Sequence, residues 1–388
     1  MTTNTLTNLI PDLYAALDVV SREMCGIIPS VTMDATADRA AVNQNVRVPI
    51  APANSAGADI TPAMAVPAEA DQTIGYSTIQ ITKSRAFPFS WNGEEQRGVN
   101  SGPGYLNVKA SQIAQAMRAA VNEIETDLGA LHALASRAGG AVGTTPFATN
   151  TSGLNDARRV LVDNGAPTGE IQAVVNTTAG ASLRTLYGVQ TGRGDAASVS
   201  EQGILLNVGG NLPVRESAQI VTSTAGTAAS ATTNNAGYAI GATTITLASA
   251  GTGTIVAGDV ITFAGDANQY VVLSGDADVS NGGSIVLNAP GLRKAIAASA
   301  TAITVVAAAS RNMVFAKTAI VLATRMPERP AEGDLALDVM SITDPRSGLT
   351  FEVAIYGGYR KVRYEVAVAW GVKVIKPEHT ALLLGPAV

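Results

Sequence analysis

The sequence predicts an α+β protein with a long mid-chain helix, an extended proline-rich flap before it, and a β-rich return carrying an inserted small β-barrel-like domain. Three observations carry this. Ile113, Met117, Val121, Ile124, Leu128 and Leu131 recur at spacings of three and four, which places them on one helical face. Phe351, Val353 and Ile355, then Val362, Tyr364, Val366 and Val368, alternate with other residues, the period of half-buried strands. Ser217 to Gly258 contains no charged residue and leads into short β-like runs broken by Gly, Asp and Asn.

Taken in order, Asn8 to Ile28 has helical spacing through Leu9, Leu13, Leu17 and Val20, and Gly26 and Pro29 close it. Val46 to Phe89 is punctuated by Pro49, Pro52, Pro62, Pro67 and Pro88. Its middle, Ala51 to Gly75, lacks the bulky residues of a core, so an extended hairpin is expected. The strongest helix spans roughly Asn107 to Ala138, a rod of about 45 Å at ~1.5 Å per residue, stopped by Gly139-Gly140. A shorter helix follows at Asn155 to Val162. Thr222 to Asn235 is nearly all Ser, Thr, Ala, Gly and Asn and reads as a linker. Beyond it, Thr243–Ala248, Val260–Ala264, Gln269–Leu273, Ser284–Asn288 and Ala302–Val306 are the strands of the inserted module.

The 388 residues fit two or three packed units, and only 15 % are charged. Neighbouring copies that cover the surface would explain so little charge, because interfaces deplete it at their cores. The net charge of −5 gives no basic field to attract nucleic acid. Cys25 is alone, which excludes an intrachain disulfide. Nothing at Met1 to Asn8 reads as a secretion signal, and no apolar run has the length to span a bilayer. No phosphate loop, zinc motif or redox motif is present, so no cofactor, metal or catalytic residue is expected. His132 and His379 are read as structural. Glu94-Glu95 is read as a solvated face or an ion-pair site, since adjacent residues point apart on regular elements.

The order of these parts resembles the Hong Kong 97 fold of tailed-bacteriophage major capsid proteins, closest to the podovirus coat protein family. The resemblance rests on Ser21-Arg-Glu-Met-Cys-Gly26, Val46-Arg-Val-Pro-Ile50, Asp59-Ile-Thr-Pro62, Ser90-Trp-Asn-Gly-Glu-Glu95, the helix Gln112 to Ala138, Gly143-Thr-Thr-Pro-Phe147, Asp163-Asn-Gly-Ala-Pro167 and Arg215-Glu-Ser217. It implies an N-terminal arm at 1–31 and an E-loop at 46–89. It also implies a P-domain at 90–171 and 329–388 with the spine helix 107–138, an A-domain at 172–221 and 311–328, and an inserted β domain at 222–310. The implied role is self-assembly, as hexamers and pentamers, into an icosahedral virion shell that encloses double-stranded DNA without reading its sequence. A scaffolding protein, a portal and a decoration protein are the implied partners. Synthesis would be in the host bacterial cytoplasm, with no membrane involved and no enzymatic activity.

Candidate contacts between copies are Asp59, Glu69 and Asp71 in the flap, Arg85, Glu94, Glu95 and Arg97 after it, and Asp259, Asp266 and Asp276 in the insertion. At the insertion's aspartates, turn chemistry and intersubunit ion pairs both remain open. Some relatives cross-link a flap lysine to a neighbour's asparagine. Here Lys83 is the lone lysine of the flap and lies at its base, so non-covalent contacts are expected. A β-rich phage tail or adhesion protein is the alternative, against which the long helix argues.

Overall fold

Pairing partners here come from distant parts of the chain, and the computed structural model shows them for residues 26–50, 62, 75–99, 105–188, 206–208, 212–343 and 348–387. The helix expected at Asn8 to Ile28 lies outside the described residues up to Cys25. Its last residue, Ile28, instead begins a single 3-10 turn, Ile28–Ser30.

After that turn, β1 (Thr32–Ala40) leads to β2 (Asn45–Ile50), which pairs antiparallel with β3 (Gly75–Gln80) as a two-stranded hairpin. The next strand, β4 (Lys83–Asn92), departs from the expected flap at 46–89. It forms an unbroken ladder with β19 (Lys361–Val374), from Lys83↔Trp370 to Asn92↔Lys361. Alternating Phe87, Phe89 and Trp91 give β4 a packing face, so it belongs to the body and the hairpin ends at Gln80.

The short helix α1 (Gly93–Val99) precedes the long helix α2 (Tyr105–Ala130). This helix was expected to reach Ala138. A 3-10 turn at Leu131–Leu134 tightens its end, and Arg137–Gly139 becomes β5. Tertiary pairing overrides the helical spacing. Ser136 N–H donates to the Thr380 carbonyl, and β5 is held between β20 (Thr380–Leu384) and β12 (Gln269–Ser274). Asn288 Nδ2 donates to the carbonyls of Ala133 and Ala135 (2.9 and 2.8 Å), so a residue far along the chain closes the helix end.

Next come α3 (Ser152–Asp163), β6 (Ile171–Val175), α4 (Thr177–Gly188), β7 (Leu206–Val208) and β8 (Leu212–Glu216). A brief β9 (Thr222–Ser223) opens the insertion, which contains β10 (Thr244–Leu247), β11 (Val260–Phe263), β12, β13 (Gly283–Leu287) and β14 (Ile303–Val305). The return is β15 (Ala309–Ala316), β16 (Ile320–Pro327), β17 (Ala336–Thr343), β18 (Thr350–Gly358), β19 and β20.

Two large sheets result. A six-stranded sheet runs β1-β16-β19-β18-β17, with β4 also on β19. A twelve-stranded sheet runs β10-β13-β12-β5-β20-β15-β6-β8-β7, with β9, β11 and β14 attached. The expected domain boundaries therefore shift. β15 and β16 were placed in one unit at 311–328, but they lie in different sheets. β5 and β20 were placed with the spine helix, but they lie in the larger sheet beside β6 and β15.

The expected linker at Thr222 to Asn235 is part of the insertion's core. Ala231 and Thr233 are buried, and bridges join Ala229 to Thr252, Thr232 to Ala302 and Thr233 to Leu247. Small residues pack there by fitting closely against backbone, which composition alone reads as flexibility. Ile245, Leu247, Ile261, Phe263, Tyr270, Val272, Ile285 and Leu287 form a second apolar core. The neighbours Val260 and Val271 point the other way, into the main core. The insertion thus has its own core yet shares a ladder with its host.

Leu128 is fully buried beneath the long helix. Leu128→Ala should cost about 2–5 kcal/mol in chemical unfolding and lower the yield of soluble subunit; unchanged melting would place its stripe elsewhere. A fragment spanning 222–310 should unfold cooperatively with β-type circular dichroism. One that begins at 236 should be markedly less stable, because it lacks Ala231 and Thr233; equal stability would return that stretch to a linker role.

Candidate assembly surfaces

The hairpin β2–β3 is anchored at its root and open beyond it. Ile79 and Ile81 are buried with Ala40, Val321, Ala323 and Ala369 in a small cluster of their own. Thr82 N–H donates to the Trp370 carbonyl (3.0 Å), and Lys373 Nζ donates to that of Thr78 (2.9 Å). Further out, Tyr76 is 62 % exposed, with the Arg47 guanidinium 5.0 Å above its ring. The remaining flap acids Asp59, Glu69 and Asp71 lie outside the described residues.

The helix stripe packs as its spacing implies. Ile113, Met117, Ile124 and Leu128 are fully buried, Val121 nearly so, and Leu131 is half-buried against the same core. The flank of the stripe meets the sheet through polar groups. Lys83 Nζ reaches Asp127 (2.8 Å) and Glu123 (3.1 Å), and Arg85 reaches Glu123 (3.2 Å). Arg85, expected at a contact between copies, is therefore engaged inside the chain.

Glu94, Glu95 and Arg97 are exposed on α1. Glu95 also does local work. Its Oε2 accepts from Asn92 N–H (3.0 Å), while Asn92 Oδ1 accepts from Glu95 N–H (2.8 Å), a reciprocal cap of the helix start. Among the described residues of the predicted set, Glu94 and Arg97 are exposed.

The insertion's aspartates divide. Asp259 is buried and accepts from the N–H groups of Val256 (2.8 Å) and Gly226 (3.0 Å), which removes it from any surface role. Burial pushes its carboxyl above the usual range, against those two donors. Asp266 accepts from Asn268 N–H (2.9 Å) and the Tyr270 hydroxyl (2.7 Å), and Asp276 from Asp278 N–H (2.8 Å). Each closes a turn, and an ion pair to another copy stays open at both. His132 is buried, its Nδ1 3.1 Å from the Gly129 carbonyl, and burial lowers its pKa.

Two features escaped the sequence. Glu352, almost wholly buried, is gripped by Arg39 (2.5 Å) and Arg329 (3.0 Å), which joins β1, β18 and the turn after β16. Nothing in the spacing marks these as partners. Leu335 (84 % exposed), Leu337 (63 %) and Tyr359 (92 %) stand out at the edge strand β17 and at the β18–β19 turn. Nothing in the sequence marks β17 as a sheet edge.

No family model matches this sequence, and no curated protein resembles it closely enough to count. Solved structures do resemble it in fold. The capsid structure of the cyanophage P-SCSP1u matches at 13 % identity and a TM-score of 0.45, covering 92 % of this chain and 86 % of that one. The asymmetric unit of the bacteriophage PhiM1 mature capsid matches at 12 % identity and a TM-score of 0.40, covering 91 % and 85 %. The virus-like particle from Pyrococcus furiosus matches at 11 % identity and a TM-score of 0.39, covering 96 % and 97 %.

Removing Asp259 should leave two backbone N–H groups without partners. Asp259→Ala should therefore destabilise the subunit by about 1–3 kcal/mol. Glu94→Ala, at an exposed site, should stay within about 0.5 kcal/mol. Urea denaturation of both variants reads the contrast, and a stable Asp259→Ala would contradict the buried assignment.

Proposed function

We propose that this chain is the major capsid subunit of a tailed phage. Copies assemble as hexamers and pentamers into an icosahedral shell around double-stranded DNA, with a scaffolding protein, a portal and a decoration protein as partners. The observation that carries this is the hairpin β2–β3. It is rooted in the body by its own apolar cluster, it forms a separate two-stranded sheet, and its outer part carries an aromatic exposed to solvent. An isolated two-stranded hairpin is marginal in water, so it needs a surface to lie on. A neighbouring copy supplies one.

The exposed Leu335, Leu337 and Tyr359 support the same reading, because apolar groups gathered at a sheet edge suit a contact surface. So does the order of parts that resembles the coat protein family. The chemistry is mechanical. Many weak contacts per copy allow errors to dissociate, yet together they hold a shell firmly. In this reading the chain does no catalysis, and Glu94 and Arg97 act as rim charges that set register between copies.

Electron microscopy of the full-length chain, alone and with a co-expressed scaffold, should show closed shells. Fibres would overturn the proposal in favour of a tail or adhesion protein, and persistent monomers in both preparations would overturn it outright. Particles boiled in denaturant should give one band near 39.5 kDa, since Lys83 is held by Asp127 and Glu123. A ladder of multimers would mean that a covalent link forms after all.

A further inference from the structure

The root of the N-terminal segment rests on a single buried carboxylate. Glu125 lies in the C-terminal part of the long helix with only 2 % of its surface exposed. Its Oε1 accepts from Ile28 N–H (2.7 Å). Its Oε2 accepts from Ile27 N–H (2.9 Å) and from the Ser217 hydroxyl (2.7 Å). One side chain thus ties together the helix, the segment that leaves it toward the N-terminus, and the strand end after β8.

The fit is close. A Cβ at Gly26 would fall about 2.4 Å from Glu125 Oε2, so no other residue type fits there without displacing the carboxylate. A cavity of about 90 Å³ adjoins it, lined by Gly26, Asn122, Glu125, Glu216, Ser217 and Gln219. No cation pairs with Glu125 among the described residues. The charged groups on the elements around it are committed elsewhere. Glu216, on the wall of that cavity, pairs with Arg184 of α4. Arg215 donates to Ser30 Oγ (3.3 Å) and Gln172 Oε1 (2.6 Å). On the long helix, Glu123 and Asp127 face Lys83 and Arg85. Residues 26–31 contribute no titratable side chain.

A buried carboxylate without a counter-ion is costly to keep charged. We propose that Glu125 makes the root of the N-terminal segment a proton-controlled joint, which tightens as the carboxyl takes up a proton and loosens as it ionises. Ser217 Oγ, 2.7 Å away, can accept from the protonated oxygen, while the other oxygen still accepts from Ile28 N–H. Burial raises the pKa of Glu125, and the donors of Ile27, Ile28 and Ser217 pull it back less strongly. The sign follows from linkage. The docked form binds the proton more tightly than the undocked one, so docking is favoured as pH falls through the raised pKa and is weakened above it.

The joint lies within one subunit, so its test does not depend on shell formation. Amide exchange at Ile27 and Ile28 is measured in the full-length chain from pH 5 to 8, corrected for the intrinsic rate. Opening should increase with pH, by at most about tenfold per pH unit for one linked proton. Glu125→Gln should abolish that dependence; its one oxygen can keep the bond from Ile28 N–H, so Ile28 should stay protected at pH 8, whereas its Nε2 cannot accept from Ile27 N–H. Ser217→Ala removes a hydrogen bond that is stronger to the charged form than to the protonated one, so it should move the midpoint to higher pH, and it keeps the test open should Glu125→Gln not fold. Opening that increases on acidification, a Glu125→Gln chain with unchanged pH dependence, or a midpoint that falls or stays fixed in Ser217→Ala would each overturn the proposal.

Discussion

Asp127 holds the long helix to the sheet beneath it, and the rest of the molecule is arranged around that attachment. Its two oxygens accept from different strands: Oδ2 from the Trp370 indole (2.8 Å) and Oδ1 from Lys83 Nζ (2.8 Å). Trp370 and Lys83 are themselves a matched pair in the β4–β19 ladder, so both donors reach the helix side by side. The ammonium also lies 5.7 Å from the Trp370 ring centroid, within cation–π range. A single carboxylate therefore fixes the register of two strands that are far apart in sequence, and the angle of the helix across them.

That attachment also controls the flap. β4 begins where the hairpin ends, and Thr82 N–H donates to the carbonyl of the same Trp370. β19 continues past this point to pair with β16, which in turn pairs with β1 on the other side of the flap's root. Any movement of the hairpin must pass through β1 or β4, and both are laddered to strands of the sheet under the helix. The proposed reading, in which the flap lies over a neighbouring copy, needs this kind of rigid root, because a contact made at the tip can steer the body only if the root does not yield.

The parts legible in the sequence were those whose signal is periodic. The stripe from Ile113 to Leu128 repeats one geometric rule and is buried as that rule implies; along β19, Tyr364, Val366 and Val368 are buried and Val362 partly so, but the intervening Ala367 and Ala369 are buried as well, because that end of the strand is covered on both faces. What was not legible depends on pairing at a distance. Nothing local to Arg137 and Ala138 announces that they pair with Tyr270 and Gln269 on one side and Ala381 and Leu382 on the other. Their spacing continues the helix, and only the competing strands stop it. Thr222 to Asn235 was misread for a different reason. Ala231 and Thr233 lack the bulk that marks a core, yet a small module fills its interior with whatever fits. Of the candidate contacts, Asp259 was illegible because burial of one aspartate among several turn aspartates leaves no trace in composition.

The placement of charge bears on what the molecule is built to do. Only 15 % of the residues are charged, and several of the charges are spent in the interior. Glu125 sits at the N-terminal root and Glu352 where β1 meets β18. Arg137 lies beside the insertion, where it reaches Asn268 (2.8 Å). Each site is a seam between segments distant in sequence. A buried ion is a poor source of stability, since well-packed apolar groups often do as well or better. It does penalise every wrong alignment, because misplaced donors leave the charge unsatisfied. In the proposed shell, where copies would meet in one geometry, seams that tolerate a single register would be worth their cost in stability. The low charged fraction of the whole chain, 15 %, suits a surface that neighbouring copies would cover in the proposed reading.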